Sequence, residues 1–135
     1  MYCITIVGMG PGGEAYLTID AFNKLTQSEN VFLRTDQHPV VDYLVDNGMK
    51  YTSFDEMYNQ FDTFEEVYEA IAQAIIEKAE HAEVLYAVPG NPFVAEKSVA
   101  MIMAGAKGEV KIVHGASFID AIVTSLHYDP VKGMV

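Results

Sequence analysis

The sequence is poor in cysteine and contains no long apolar run, and each shortage excludes a class of protein. With one cysteine, Cys3, among 135 residues, the chain cannot build an internal disulfide framework. Cys3 falls within an apolar strand pattern, which is typical of a small buried side chain rather than a reactive thiol. No apolar run approaches the roughly 20 residues of a membrane span, and the N-terminus lacks the features of a secretory signal. We therefore expect a cytoplasmic protein with no membrane partner.

Basic residues are also scarce, with 8 lysines and arginines against 19 acidic residues and a formal charge of -11. Such a chain is repelled by phosphate backbones, so we expect no nucleic-acid partner. The four histidines show no metal-ligand spacing, which predicts that the chain has no metal site. His38 and His114 lie near predicted strand ends, where we interpret them as loop residues rather than ligands.

The residues that are abundant predict a layered α/β domain. Half of the residues are hydrophobic, which is enough for one core, and strand and helix patterns alternate along the chain. Helices are predicted from helical spacing, from Pro39 and Gly48 as start and stop, and from the capping pattern S/T-x-x-E at Ser53 and Thr63. The predicted helices run over 15–25 and 39–48, from 53, from 63, and from 92 to about 105. A strand is predicted over 30–35.

Three β-branched strands each end in a glycine-bearing turn before a helix. They are residues 2–7 before Gly8-Met9-Gly10-Pro11-Gly12-Gly13, residues 83–88 before Pro89-Gly90-Asn91-Pro92, and residues 110–113 before His114-Gly115-Ala116-Ser117. In a parallel sheet, the loops after the strands lie at one edge, where ligands bind. The sequence therefore predicts a site built from these three loops.

Several familiar sites are excluded by their spacing. Pro11 stiffens the first glycine loop and removes a backbone donor, and no acidic residue follows at the Rossmann position, where Arg34 and Thr35 stand instead. The chain contains neither a Walker loop nor a G-x-S-x-G elbow, so we interpret Ser117 as a turn or cap hydroxyl. Glu65, Glu66 and Glu69 form half of the MazG-like signature E-E-x-x-E without its E-x-x-D partner. A solvated helix face is the simpler interpretation.

In order and spacing, the three loops resemble those of the tetrapyrrole (corrin and porphyrin) methylase superfamily, in its N-terminal half. The resemblance is carried by G-x-G-P-G at 8–12, VPGNPFV at 88–94 and GASF at 115–118. It implies a three-layer sandwich with a mainly parallel central sheet of about five strands. It also implies S-adenosylmethionine as the cofactor of the intact protein, a small methyl acceptor such as a tetrapyrrole, and a homodimer.

By the same resemblance, the residues expected to bind the cofactor belong to the three loops. They are Pro11, Gly90, Asn91, Val94, Ser117 and Phe118. Asn91 departs from the family pattern, in which aspartate is usual at this position. A bare set of tight turns is the alternative interpretation of these residues.

Residues 33–35, with His38-Pro39 and Asn91, most resemble the methylase-like domain that precedes a MazG-like nucleoside triphosphate pyrophosphohydrolase in some bacterial proteins. Family members add a second α/β domain, and by the resemblance residues 129–133 correspond to the approach to the linker between the two domains. We therefore expect residues 1–135 to be a single N-terminal domain, the second being absent, and to methylate poorly alone. The alternative is a noncatalytic module that binds a nucleotide-like ligand or packs against a fused hydrolase. A self-association domain is a third possibility, because a half-cleft leaves apolar surface exposed.

Overall fold

Five parallel strands form the sheet on which the molecule is built. The computed structural model describes residues 1–131 and the backbone of residues 133–134. The strands are β1 (Ile4–Gly8), β2 (Val31–Leu33), β3 (Thr52–Ser53), β4 (Val84–Val88) and β5 (Val110–Val113). Their order across the sheet is β3-β2-β4-β1-β5. The predicted α/β class with about five parallel strands is confirmed.

Helices cover both faces of the sheet. They are α1 (Ile19–Gln27), α2 (Val41–Asp46), α3 (Phe64–Lys78), α4 (Lys97–Gly105) and α5 (Phe118–Ser125). One core cluster joins the sheet to α1 and α2, and another joins its opposite face to α3 and α4, so the fold has three layers. A short antiparallel pair follows, β6 (Tyr128–Asp129) with β7 (Gly133–Met134). No helix in the described part of the chain is long and apolar enough to cross a bilayer.

The two core clusters divide each central strand by alternate residues. Ile4 and Ile6 of β1 face α3 and α4, whereas Val7 belongs to the opposite cluster. All five residues of β4 are buried, because the strand is covered on both faces. The hydroxyl of Tyr86 in β4 is 2.8 Å from Oγ of Ser98, and both side chains are fully buried. This hydrogen bond satisfies two polar groups inside an apolar layer.

The predicted helix starts at residues 15 and 53 differ from the structure. The helix placed at residue 15 begins at Ile19, because the Thr18 side chain accepts a hydrogen bond from the Ala21 N–H at 3.0 Å. Ile19 is 81% exposed and therefore lies on the solvent side of α1. Ser53 caps no helix. It lies in β3, and its hydroxyl bonds Asp55, where a short 3₁₀ turn begins.

The capping pattern at Thr63 is confirmed. The Thr63 side chain accepts from the Glu66 N–H at 3.2 Å at the start of α3. Phe64 is 66% exposed and stacks on Tyr68. The predicted approach to the linker, at 129–133, includes residue 132, which lies outside the described residues.

Candidate functional site

The loops after β1 and β4 are joined directly by their backbones. The Gly10 N–H donates to the Gly90 oxygen at 3.2 Å, and the Gly90 N–H donates to the Gly10 oxygen at 2.9 Å. Both residues have positive φ, +77° at Gly10 and +67° at Gly90, a backbone conformation that residues other than glycine rarely adopt. The two glycines predicted in separate turns are therefore one bridged unit.

The loop after β5 packs against this unit without side chains between. A Cβ added to Gly8 would lie 2.5 Å from the Gly90 oxygen and 2.9 Å from Cα of Gly115. A Cβ added to Gly115 would lie 2.7 Å from Cα of Gly8. Real Cβ atoms do not approach backbone so closely, so all three loops depend on glycine here. The predicted convergence of the three turns on one edge of the sheet is what the structure shows.

Asn91 fastens the second loop to the third. Its Nδ2 donates to the Gly115 oxygen at 2.9 Å, and its Oδ1 accepts from the Phe93 N–H at 2.9 Å. Because a carbonyl oxygen can only accept, the amide orientation follows from the chemistry. Aspartate could accept from Phe93 but could not donate to Gly115. The asparagine that departs from the family pattern is therefore matched to its surroundings.

A cavity of about 290 Å³ opens at this junction. It is lined by all six residues that the sequence singled out as cofactor ligands: Pro11, Gly90, Asn91, Val94, Ser117 and Phe118. Six further residues complete the lining: Gly10, Arg34, His38, Pro89, Ala95 and Glu96. The structure brings the predicted residues together, and their role as cofactor ligands stays a prediction.

Ser117 lines the cavity and also caps α5. Its Oγ accepts from the Ile119 N–H at 2.9 Å, and its own N–H donates to Oδ2 of Asp120 at 2.8 Å. The two bonds form a capping box, which agrees with the interpretation of Ser117 as a cap hydroxyl. The residue is only 4% exposed, so it presents a small, rigid surface to a ligand.

An ion pair that sequence reasoning left out lies in the same cavity wall. Nε of Arg34 donates to Oε1 of Glu96 at 3.1 Å, and Nη1 donates to the Tyr58 hydroxyl at 2.8 Å. Burial alone would lower the pKa of Arg34, but the Glu96 charge and the Tyr58 hydrogen bond outweigh it and raise that pKa. Burial raises the pKa of Glu96 above its ordinary value, although Arg34 opposes the shift. The Glu96 charge and the Tyr58 hydrogen bond thus favour the charged form of the guanidinium.

His38 ties the loop after β2 to the first glycine loop. Its Nε2 lies 2.7 Å from the Gly10 oxygen, and its Nδ1 accepts from the Val40 N–H at 3.1 Å. Since one ring nitrogen must donate and the other accept, these partners select the neutral tautomer with hydrogen on Nε2. Burial lowers the pKa of His38, although the bond to Gly10 opposes the shift. His38 is a loop residue, as predicted, but it also lines the cavity.

Arg34 and Glu96 were missed for different reasons. Arg34 lies within the predicted strand over 30–35 and directly after the observed strand β2, but only the sheet order, with β2 beside β4, brings it to the cavity. The helix predicted from Pro92 begins at Lys97, and Ala95 has φ of 57°. This turn places Glu96 at the cavity instead of within a helix. The side chains of Arg34 and Glu96 are the charged ones in the lining, and their charges cancel.

The cavity lining combines backbone at two glycines with a few polar side chains. Among the described residues, no group of three or more histidine, cysteine or carboxylate side chains is placed to hold a metal ion. Gly10 and Gly90 present backbone rather than side chains to the cavity, so a ligand can approach the main chain closely there.

The comparisons with known proteins identify the class. The family model for tetrapyrrole (corrin/porphyrin) methylases matches residues 3–135, and the chain belongs to this family. It is 41% identical over 133 residues to the uncharacterized protein YabN of Bacillus subtilis (strain 168), covering 96% of this chain but 27% of that protein.

Two solved structures extend the comparison. A diphthine synthase structure is 18% identical with a TM-score of 0.74, over 96% of this chain and 51% of the other. A uroporphyrin-III C-methyltransferase of Thermus thermophilus, complexed with S-adenyl homocysteine, is 17% identical with a TM-score of 0.58, over 90% of this chain and 50% of the other. At these identities the likeness establishes the fold. The chain spans about half the length of these solved chains.

Proposed function

We propose that this chain is the cofactor-binding part of an S-adenosylmethionine-dependent methyltransferase. The single observation that carries the proposal is the junction of three glycine loops at the carboxyl edge of the sheet, where they form one wall of a cavity. The backbones of these loops approach too closely to leave space for a Cβ atom at Gly8 or Gly115. Unrelated surface turns are not expected to pack in this way. A wall built from backbone suits a ligand that must be approached closely along its length.

The groups of the cavity fit the chemistry of the cofactor. S-adenosylmethionine presents an adenine face, ribose hydroxyls, an amino-acid end and a sulfonium, and the family relative complexed with S-adenyl homocysteine supports this choice. We propose that Pro11, Gly90 and Asn91 contact the cofactor, together with Val94, Ser117 and Phe118. Bound here, the cofactor supplies the methyl group. Because the leaving group is a neutral thioether, the chain's contribution is to bind and orient rather than to move a proton.

Titration of adenosylhomocysteine by calorimetry tests this proposal. It is done with the 135-residue chain and with the native protein that contains it. We expect binding in both, weaker in the chain if a further domain completes the cleft. Absence of heat at millimolar ligand in the native protein would overturn the proposal.

The acceptor and the remaining wall of the site belong to the same proposal. We propose a tetrapyrrole or other small compound as acceptor, and a second α/β domain that closes over the cavity. The solved relatives that this chain matches are about twice the length it covers, and Phe118 in the lining is 49% exposed. Methylation assays should then show poor activity for residues 1–135 and activity for the native protein.

A second candidate function is a noncatalytic module beside a MazG-like pyrophosphohydrolase, and the observation that favours it is α5. None of its residues is buried, and Phe118, Ile119 and Ile122 are between 43% and 49% exposed. Such a face is suited to cover by further chain or by a second copy in a homodimer. A native reading frame that continues into E-E-x-x-E and E-x-x-D motifs would favour the module. Light scattering at several concentrations tests the homodimer, and a strictly monomeric result would count against it.

A further inference from the structure

The ion pair in the cavity wall is joined by one contact, which leaves hydrogen-bonding capacity on both partners. A guanidinium has five N–H donors. Nε of Arg34 donates to Glu96 and Nη1 donates to Tyr58, whereas Nη2 has no protein acceptor among the described residues. The second carboxylate oxygen of Glu96, Oε2, likewise has no protein donor in the described part of the chain.

These two atoms are open rather than buried. Every buried side-chain nitrogen or oxygen of the described residues has a hydrogen-bond partner. Nη2 of Arg34 and Oε2 of Glu96 therefore retain solvent access, although the side chains are only 19% and 8% exposed. Both residues line the cavity that Gly90 and Pro11 also line. Arg34 and Glu96 thus bring a positively charged donor and a negatively charged acceptor to the wall of this cavity.

We infer that Arg34 and Glu96 together bind the amino-acid end of the cofactor, the α-carboxylate at Nη2 and the α-ammonium at Oε2. The inference rests on the proposed function. A zwitterion carries both charges and no net charge, so it matches a pair that is itself neutral. A lone anion would be repelled by Glu96, and a lone cation would be repelled by Arg34.

The other polar groups of the cavity leave this role to the pair. Both ring nitrogens of His38 are engaged by backbone groups, and its burial favours the neutral ring. The Asn91 amide uses one of its two N–H groups for Gly115 and accepts from Phe93, and it carries no charge. Tyr58 and the carboxylate hold Arg34 in place, so the guanidinium is oriented before a ligand arrives. An oriented, partly dehydrated charge pair loses little entropy on binding.

Calorimetry with two related nucleosides separates this inference from the proposed function. Adenosylhomocysteine has the amino-acid end, whereas 5′-methylthioadenosine lacks it. The wild-type chain should bind adenosylhomocysteine about tenfold or more tightly than it binds methylthioadenosine, as expected for charge-assisted hydrogen bonds. The variant R34M/E96Q removes both charges at similar volume, which avoids an unpaired buried ion. It should bind methylthioadenosine like wild type and lose the preference.

Two further measurements sharpen the assignment. S-adenosyl-3-thiopropylamine keeps the ammonium without the carboxylate, so its affinity should fall in E96Q and should rise in R34M, which removes the charge that repels a lone cation. The matched control is Lys97→Met, which removes an exposed charge beside Glu96 that is not part of the cavity lining. This control should keep the full preference for adenosylhomocysteine.

The outcomes are distinct. A preference retained in R34M/E96Q, or absent from the wild type, overturns the inference and leaves the proposed function standing. A folded variant that loses methylthioadenosine as well would place the pair against the adenosine, which also overturns it. Failure of wild-type chain and native protein to bind either nucleoside overturns the proposed function, and the inference with it. Thermal unfolding of each variant verifies that it is folded.

Discussion

The two ends of the sheet both carry a cavity, and the smaller one is the better candidate site. At the amino ends of the strands lies a cavity of about 490 Å³, against about 290 Å³ at the carboxyl ends. The larger cavity is lined by polar side chains such as Lys24, Glu29, His81 and Glu83. Its lining includes none of the glycines of the three loops. The volume of a cavity therefore does not identify the candidate site here, whereas the convergence of three backbone loops does.

The ion pairs at the two ends differ in the same way. Lys24 at the amino end is 3.8 Å from Asp20, and these side chains are 52% and 65% exposed. Arg34 and Glu96 at the carboxyl end are 3.1 Å apart and largely buried. Solvent screens the first pair, so it contributes little to stability, whereas the second holds a fixed geometry. The four predictions below test this contrast, from the largest expected effect to the smallest.

Gly115→Ala should have the largest effect. The new Cβ would meet the Gly90 oxygen and Cα of Gly8, both of which are backbone and cannot rotate away. We expect a loss of about 3 kcal/mol in the free energy of unfolding, with loss of adenosylhomocysteine binding. Chemical denaturation and calorimetry measure the two effects.

The matched control is Gly13→Ala, in the same class of glycine loop. A Cβ there meets no atom within 4 Å, so stability should stay within about 0.5 kcal/mol of wild type. Equal losses in the two variants would contradict the close approach of the three loops.

Asn91→Asp should have the next largest effect. It removes the donor to the Gly115 oxygen and places a carboxylate oxygen against that carbonyl, for an expected loss of roughly 1–3 kcal/mol. Asn23→Asp makes the same chemical change at an exposed position of α1, and should cost no more than about 0.5 kcal/mol. Thermal and chemical unfolding compare them. An Asn91→Asp protein as stable as Asn23→Asp would show that the hydrogen bond from Asn91 to Gly115 contributes nothing to stability.

Acidification should lower the stability of the protein through protonation of His38, which lies at the carboxyl end of the sheet. Its folded-state pKa is lowered from the ordinary value near 6.5, chiefly by burial, so the unfolded chain takes up the proton first. The stability that the neutral ring contributes is complete above about pH 6.5 and is lost as the pH falls through the folded-state pKa. A proton on Nδ1 would also oppose the Val40 N–H.

Two measurements check this pH dependence. NMR titration should show His38 protonating at lower pH than an unstructured histidine. Unfolding between pH 8 and 5 should show a stability loss that is smaller in His38→Phe. An identical pH profile in the variant would contradict the prediction.

Lys24→Gln should have the smallest effect. It breaks only the exposed pair with Asp20 and removes a charge from the larger cavity, so stability should change by about 0.5 kcal/mol or less. Adenosylhomocysteine affinity should not change at all. A substantial loss of ligand affinity in this variant, measured by calorimetry, would move the candidate site to the amino end.

Much of the fold and of the candidate site was predictable because it depends on local chemistry. Continuous apolar runs specify the buried strand β4, and Thr63 with Glu66 specifies the start of α3. Glycines after strands specify where the backbone turns. The predicted helix boundaries that were wrong lie where a helix-capping pattern competes with another local hydrogen-bonding arrangement. Ser53 has the spacing of a cap, but its hydroxyl bonds Asp55 after a strand that pairs with β2.

The sequence by itself determined the α/β layers and the three glycine turns, and the family resemblance of those turns predicted the six residues that line one cavity. The tertiary structure alone decided that Arg34, His38 and Glu96 share that cavity. The physical reason is that periodicity and turn chemistry act over a few neighbouring residues, whereas the lateral order of strands is set by how the whole core packs. Arg34 and Glu96 are 62 positions apart, and only the pairing of β2 with β4 brings their loops together.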